Sequence, residues 1–350
     1  MSKVFGKLPS GERLKRVLSS PQYQNGKFCN QSFTPDLAED ATMWKVLKAF
    51  RSKPKTTKPP APLPSVRPDL QSVSNNHPAL IWFGHSSYYL QVEGLKILVD
   101  PVFSGKASPV PGMIKAFPGT DMIKVTDFTE LDYVLITHDH YDHMDYESIR
   151  QLKSRTRMWI TSLGVGAHLE YWGIGKETII ELDWWEEASL KNNCRITAAP
   201  SRHFSGRGMK RAQTIWSSFI LNTPNYQYYL GGDSGWDTHF EAIGKRFGPF
   251  DLAILECGQY HPYWKHIHMM PEEVAKAAEA LGAKKLLPVH WGKFSLALHP
   301  WDEPIERLIS AAKNASFQLL TPMMGQTIKL SGNEPYNQFW WRDFEKKPVQ

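Results

Sequence analysis

Between His138 and Asp145 the chain reads HDHYDHMD, three histidines and three aspartates in eight positions, directly behind the apolar run YVLIT. So many ionisable groups repel one another and resist burial unless a counter-charge neutralises them. A metal ion is the simplest neutraliser, because imidazole and carboxylate are the donors that Zn²⁺ and related first-row ions take. The spacing His138-x-His140-x-Asp142-His143 divides these donors. On a loop leaving a strand, His138 and His140 can turn toward one ion, while Asp142 and His143, entering the next helix, face a second. Three further apolar runs end on the same residue types: RITAAPSR on His203, YYLGG on Asp233 and KLLPV on His290. Strand ends that meet at one sheet edge form a rigid platform. His203 then completes the first set and His290 the second, and Asp233, with two oxygens, can bridge them. Paired ions of this kind stand about 3.5–4 Å apart and draw a nucleophile from water near neutral pH.

The elements that must position these residues follow from residue pattern. ALIWFGHSSYYLQVEGLKILVDP reads as strand, turn at Glu93-Gly94, strand. LDYVLITH, RMWITS, NCRITAAP, SSFILNT, QYYLGGD, FDLAILECG and KKLLPVHW read as further strands. YESIRQLKS, MPEEVAKAAEALG (Pro271 in its first turn) and PIERLISAAKNA read as helices. Strands in runs that later alternate with helices predict sheets covered by helices on the outside. No internal repeat of fixed period is present.

Composition narrows the class. The 350 residues are 41% hydrophobic and 22% charged, enough apolar material for a core. No run of about 18 apolar residues predicts a membrane span. The three cysteines, Cys29, Cys194 and Cys257, are far apart, so neither a disulfide framework nor a thiolate zinc site is expected, and a reducing cytoplasm fits. Residues 1–75 hold 13 Lys+Arg against 5 Asp+Glu; the remainder holds 28 against 30. The basic character therefore belongs to an N-terminal arm ending in the Pro-rich connector RSKPKTTKPPAPLPSVRP, and a nucleic-acid substrate is not expected for the slightly acidic part that follows. Three segments are expected: an arm and connector over 1–75, a hydrolase domain over 76–331 and a tail over 332–350. The arm should lie on the domain and supply no metal ligand, so that removing residues 1–60 leaves metal content nearly intact.

HDHYDH meets the HxHxDH signature of the metallo-β-lactamase superfamily, which the chain resembles. WFGHSSYYLQVEGLKILVDPVFS (82–104), HFSGRG (203–208), LGGDSGW (230–236), HMMPEEV (268–274) and LPVHWGKF (287–294) are similar to its N-acylphosphatidylethanolamine-hydrolysing phospholipase D branch. The likeness runs from about residue 78 to 330, and GKLPSGERLKRVLSSPQYQNGKFCN resembles the N-terminal arm of bacterial members. It implies an α+β fold, an αββα sandwich of two mixed sheets with outer helices. It also implies two Zn²⁺ per chain, one held by His138, His140, His203 and Asp233, the other by Asp142, His143, Asp233 and His290. The implied reaction is phospholipase D-type hydrolysis of a phosphodiester in a phospholipid, with Asp142 and His268 in the catalytic set. His268 matches a family position near the substrate phosphate; equally, it could be only the entry to the helix at 271–281. The rival enzyme reading is a hydrolase of a soluble phosphoester or a lactone on the same fold. The non-enzymatic rival, a metal-binding scaffold, is disfavoured because no ligand is missing.

Other polar residues read as support. Asp100, ending KILVD, can accept a proton from the outer nitrogen of a ligand histidine, and His85 can act similarly. Asp139 is expected to point away from the ions, and His261, His266 and His299 have no assigned role. A phospholipase must also reach a bilayer. Trp44, Phe50, the Trp184-Trp185 pair and FWWRDF (339–344) are the aromatic candidates for peripheral contact with an anionic membrane, on its cytoplasmic face. A homodimer is compatible with the sequence.

Overall fold

The computed structural model describes residues 3–73, 77–110, 112–332 and 336–346. The expected boundary at 75–76 and the end of the tail lie outside them. Two seven-stranded mixed sheets stack face to face. The first runs, in spatial order, Thr327–Lys329, Ala79–Trp82, Tyr88–Val92, Leu95–Val99, Leu131–Ile136, Thr156–Ser162 and Ile179–Leu182. The second runs Gln318–Leu319, Lys285–Val289, Leu252–Glu256, Gln227–Leu230, Ser217–Asn222, Arg195–Pro200 and Glu187–Ser189. In each sheet three strand pairings are antiparallel and three parallel.

The central strands are buried on both faces, and the two-residue period sorts their side chains. Trp82, Ile97, Tyr133 and Leu135 point between the sheets, where they meet Ile196, Phe219 and Leu230. Ile81, Leu98, Val134 and Ile136 point outward, against Ile149 and Leu152 of the helix Tyr146–Leu152. The helices Pro271–Ala280 and Glu303–Ala311 cover the second sheet through Val274, Ala278, Ile305 and Leu308. Each such side chain stabilises the sandwich by about 1.5–3 kcal/mol relative to exposure.

The first predicted strand is broken: the chain turns between Trp82 and Tyr88, with Gly84 and His85 both at positive φ. The turn at Glu93-Gly94 is where the sequence puts it. The arm is more structured than its composition suggests, with helices Gly11–Ser19 and Met43–Arg51 and a short hairpin between Tyr23 and Phe28. Val17 and Phe28 are buried in a small cluster with Trp184 and Trp216, and Arg13 pairs with Glu181. No helix among the described residues is long and apolar enough to cross a membrane.

Packing takes up, fully or in part, four of the aromatic candidates for membrane contact. Trp184 is only 4% exposed, and its indole N–H donates to the Trp216 carbonyl. Trp185 is half-buried, stacked on Phe247 with Arg246 over its ring. Trp340 and Trp341 are also buried, against Trp291. Trp44, by contrast, is 71% exposed.

Candidate metal centre

Every predicted ligand stands at or just past the end of a strand at one edge of the sandwich. His138 follows Leu131–Ile136, His203 follows Arg195–Pro200, Asp233 follows Gln227–Leu230, and His290 directly follows Lys285–Val289. Gly232 makes the approach of Asp233 possible: a Cβ there would sit 2.9 Å from the Thr137 Cβ and 2.8 Å from the Ser217 carbonyl oxygen. His85, Asp100 and His290 all have positive φ. Left-handed backbone at non-glycine residues costs about 1–3 kcal/mol each and gathers where a site constrains the chain.

The donor atoms converge in two sets. His138, His140, His203 and Asp233 form one, with every donor atom within 4.8 Å of the others; His85, Asp142, His143 and His290 form the other. In the first, His140 Nδ1 lies 2.9 Å from His138 Nε2 and 3.2 Å from His203 Nε2. Donors around a tetrahedral ion at 2.0–2.1 Å stand roughly 3.3 Å apart, so three imidazoles already face one point at close to the needed spacing. Asp233 reaches both sets. Its carboxylate is 3.2 Å from His143 Nε2 and His290 Nε2, and 3.6 and 3.9 Å from His203 and His138.

Two observations test whether these residues suit metal ions. His143 Nε2 and Asp233 Oδ1 are fully buried and find no hydrogen-bond partner, although they face each other. Buried polar atoms are rarely left so without a ligand to satisfy them. The titration pattern agrees. Burial opposes charge on His143 and His290, yet Asp233, Asp142 and other nearby carboxylates outweigh it, holding His143 well above the usual imidazole range and His290 up at about 10. Burial, reinforced by neighbouring imidazoles, holds His138 and His203 well below that range. The carboxylates thus favour cationic charge at this point, which a metal ion would supply. The donor set fits a pair of divalent ions.

A second layer of groups fixes the donors. Asp100 accepts from His143 Nδ1 at 2.7 Å and from the backbone N–H and hydroxyl of Thr137, which leaves His143 Nε2 facing inward. His85 lies 2.9 Å from the Asp142 carboxylate; burial, aided by His290, drives it down to about 3, so it is a neutral donor. Asp139 points away from the ligands, as its position suggests, and accepts from the Gly206 N–H. His299 accepts from the Gln259 N–H and lies outside the centre.

Glu256 was not singled out in the sequence, although FDLAILE also ends on a donor. It is 1% exposed. One oxygen lies 2.8 Å from His268 Nδ1 and 3.3 Å from His290 Nδ1, and the other accepts the Met269 N–H at 2.8 Å. His268 stacks on His290 and is brought to the edge of the cluster by the turn ahead of Pro271–Ala280. The site is therefore larger than the signature: Asp233, Glu256, His268 and His290 form a third group of converging donors.

Above the donors opens a cleft of about 710 Å³. His140, Asp142, His203, Asp233, His268 and His290 lie at its floor, and Phe28, Phe33, Val46, Phe50, Trp264 and Leu296 are among its walls. Residues 27–50 of the arm supply one side of it.

Residues 96–291 match the family model described as the Beta-lactamase superfamily domain. The chain belongs to the metallo-β-lactamase superfamily and is a metal-dependent hydrolase. It is 37% identical over 334 residues to an uncharacterised protein of Mycobacterium tuberculosis, covering 92% of this chain and 88% of the relative. It is 31% identical over 275 residues to N-acyl-phosphatidylethanolamine-hydrolyzing phospholipase D 1 of Caenorhabditis elegans, covering 71% of this chain and 75% of that protein. Its fold is similar to that of Igni18, a metallo hydrolase of Ignicoccus hospitalis, with a TM-score of 0.54 at 22% identity over 72% of this chain and 97% of the other.

Lys293 gives this superfamily member a testable pH signature. Its buried ammonium donates to the carbonyls of Phe83 and Val102, tying together the segments that carry His85 and Asp100. Burial pulls it down to about 8. Unfolded lysine titrates at about 10.4, so between those values the unfolded chain binds more protons than the native one. The stability contribution is present above the unfolded value and is lost as pH falls through about 8. Stability measured by denaturant titration should therefore gain a component rising across this window, and Lys293→Met should remove it. An unchanged slope in the variant would contradict the assignment.

Proposed function

We propose that the protein is a binuclear zinc hydrolase that cleaves N-acylphosphatidylethanolamine, or a related phospholipid, in the phospholipase D manner. The carrying observation is the cleft: a floor of convergent metal-ligand residues under largely apolar walls suits a substrate with a phosphodiester at one end and acyl chains at the other. The phospholipase D relative at 31% identity supports the same reaction class. His138, His140 and His203 would hold one ion, Asp142, His143 and His290 the other, and Asp233 both. When bound, such a pair would polarise the phosphate and lower the pKa of water.

The chain's own groups supply the rest. Glu256 accepts a hydrogen bond from His268 Nδ1–H and so leaves Nε2 uncommitted, to hold or deliver a proton at the departing oxygen. Lys27 and Arg211 line the cleft and offer positive charge to an anionic headgroup. Phe28, Phe50 and Leu296 exclude water from the acyl portion.

The same cleft wall offers a route to the bilayer. The helix Met43–Arg51 buries no residue completely; Met43, Val46 and Phe50 line the cleft while Trp44 and Leu47 stand exposed beside Lys45, Lys48 and Arg51. Apolar and basic side chains mixed in this way suit an anionic interface. Vesicles containing anionic phospholipid should bind the protein, and Trp44→Ala combined with Leu47→Ala should weaken binding roughly tenfold or more. Unchanged binding at both low and physiological salt would count against the helix.

Incubation of the zinc-loaded protein with N-acylphosphatidylethanolamine, a soluble phosphodiester and a lactone tests the reaction itself. Phosphatidate and an N-acylethanolamine are the expected products. Turnover of the lactone alone would replace this reading with that of a carbonyl hydrolase.

A further inference from the structure

Outside the residues that line the cleft lies a network that the metal chemistry does not use. Arg207 is buried, and its guanidinium donates through Nη1 to the carbonyls of Asp139 and Met144, the two ends of the stretch that carries His140, Asp142 and His143. Its remaining N–H groups donate to the carbonyl of Val4, at the N-terminus of the chain. The same N-terminal turn takes the Trp172 indole N–H on the Lys3 carbonyl. Three residues beyond Val4, the Lys7 N–H donates to His168 Nδ1. A neutral imidazole that accepts at Nδ1 carries its proton on Nε2, and His168 Nε2 faces the Asp139 carboxylate at 3.2 Å. Asp139 accepts in addition from Thr214 and from the Gly206 N–H.

We infer that residues 3–7 are a brace for the metal-ligand loop, acting through Arg207 and His168 as positioning residues. The segment supplies no ligand. It completes the partner set of the two side chains that fix the loop's backbone, much as hydrogen-bonded partners outside a metal's ligands set the ligands' orientation. Without Val4 a buried guanidinium would lose an acceptor, and buried charge that lacks partners is costly. On this inference removal of residues 1–60 should lower metal affinity, the opposite of the outcome expected from composition alone. The inference rests on the binuclear reading of the site.

Gly6 gives access to the brace without disturbing the core. It has φ +69, and a Cβ there would fall 2.1 Å from His168 Nδ1. Gly6→Val in the full-length chain should expel the segment while leaving the sandwich untouched. Arg207→Lys keeps the charge but cannot reach three carbonyls at once. The experiment is Zn²⁺ binding by competition with a chromophoric chelator, alongside thermal unfolding of the metal-free proteins. The expected result is a loss of Zn²⁺ affinity of roughly 10–100-fold in both variants, with the metal-free Gly6→Val protein still melting in one cooperative transition, at a lower temperature because Arg207 loses an acceptor. A synthetic peptide of residues 1–10 should restore affinity to Gly6→Val. Wild-type Zn²⁺ affinity in Gly6→Val would overturn the brace, as would failure of the peptide of residues 1–10 to restore the lost affinity. A wild-type protein that binds no Zn²⁺ would overturn the binuclear reading instead.

Discussion

Asp233→Ala should lower kcat/KM by at least roughly a thousandfold and reduce bound zinc from about two equivalents per chain to fewer than one. Removing a single electrostatic contributor to a transition state typically costs 10²–10³, and this carboxylate would serve both ions. Its oxygens lie within 4 Å of four imidazoles, two from each donor set. Its loss also leaves His143 and His290 without their main counter-charge, since Asp233 is the largest favourable influence on each. His140→Ala is the instructive comparison. It deletes one of three imidazoles at one ion and should spare the other. Metal analysis and steady-state kinetics on both variants check the expectation. Equal metal loss in the two would contradict a bridging role for Asp233.

His268→Ala should behave differently: a fall in kcat of about 10²–10⁴, as for loss of a general acid, with zinc still near two equivalents. Its ring sits beside the clusters, and its Nδ1 is committed to Glu256, not to a ligand position. Glu256→Gln should fall between the variant and the wild type, at about 10–100-fold, because the amide can accept one hydrogen bond but no longer favours the charged imidazole. Part of that loss should appear as weaker zinc binding, since the same oxygen lies 3.3 Å from His290. The pH profile of kcat separates the two effects. A His268→Ala protein that turns over at the wild-type rate would remove this residue from the chemistry.

The centre was legible in the sequence to the extent that chemistry repeats a simple pattern. Four apolar runs end on His or Asp, and the structure brings those ends to one edge. The support residues Asp100 and His85 were legible for the same reason, each lying at the turn after an apolar run. Glu256 obeys the same rule but lacks a companion motif, and its meaning depends on His268, twelve residues on and across a loop. Arg207 and His168 could not be read at all. Their roles come from contacts with residues 3–7, more than 160 positions away. Trp184 was a candidate for membrane contact, yet it fills a pocket formed with the arm, whose packing no local pattern discloses. The edge strands Thr327–Lys329 and Glu187–Ser189 are three residues each, too short to carry a period. The two-strand, one-turn reading of residues 79–101 failed at Gly84 and His85, where tertiary contacts with Trp291 hold the reversal.

Where water attacks decides the proposed reaction. Hydrolysis of N-acylphosphatidylethanolamine in oxygen-18 water, followed by mass spectrometry of both products, measures this directly. Attack at phosphorus, in line with a phosphate held over the donor clusters, places one labelled oxygen in the phosphatidate and none in the N-acylethanolamine. Label in the N-acylethanolamine would mean that the carbon–oxygen bond breaks, and would contradict a phospholipase D-type hydrolase.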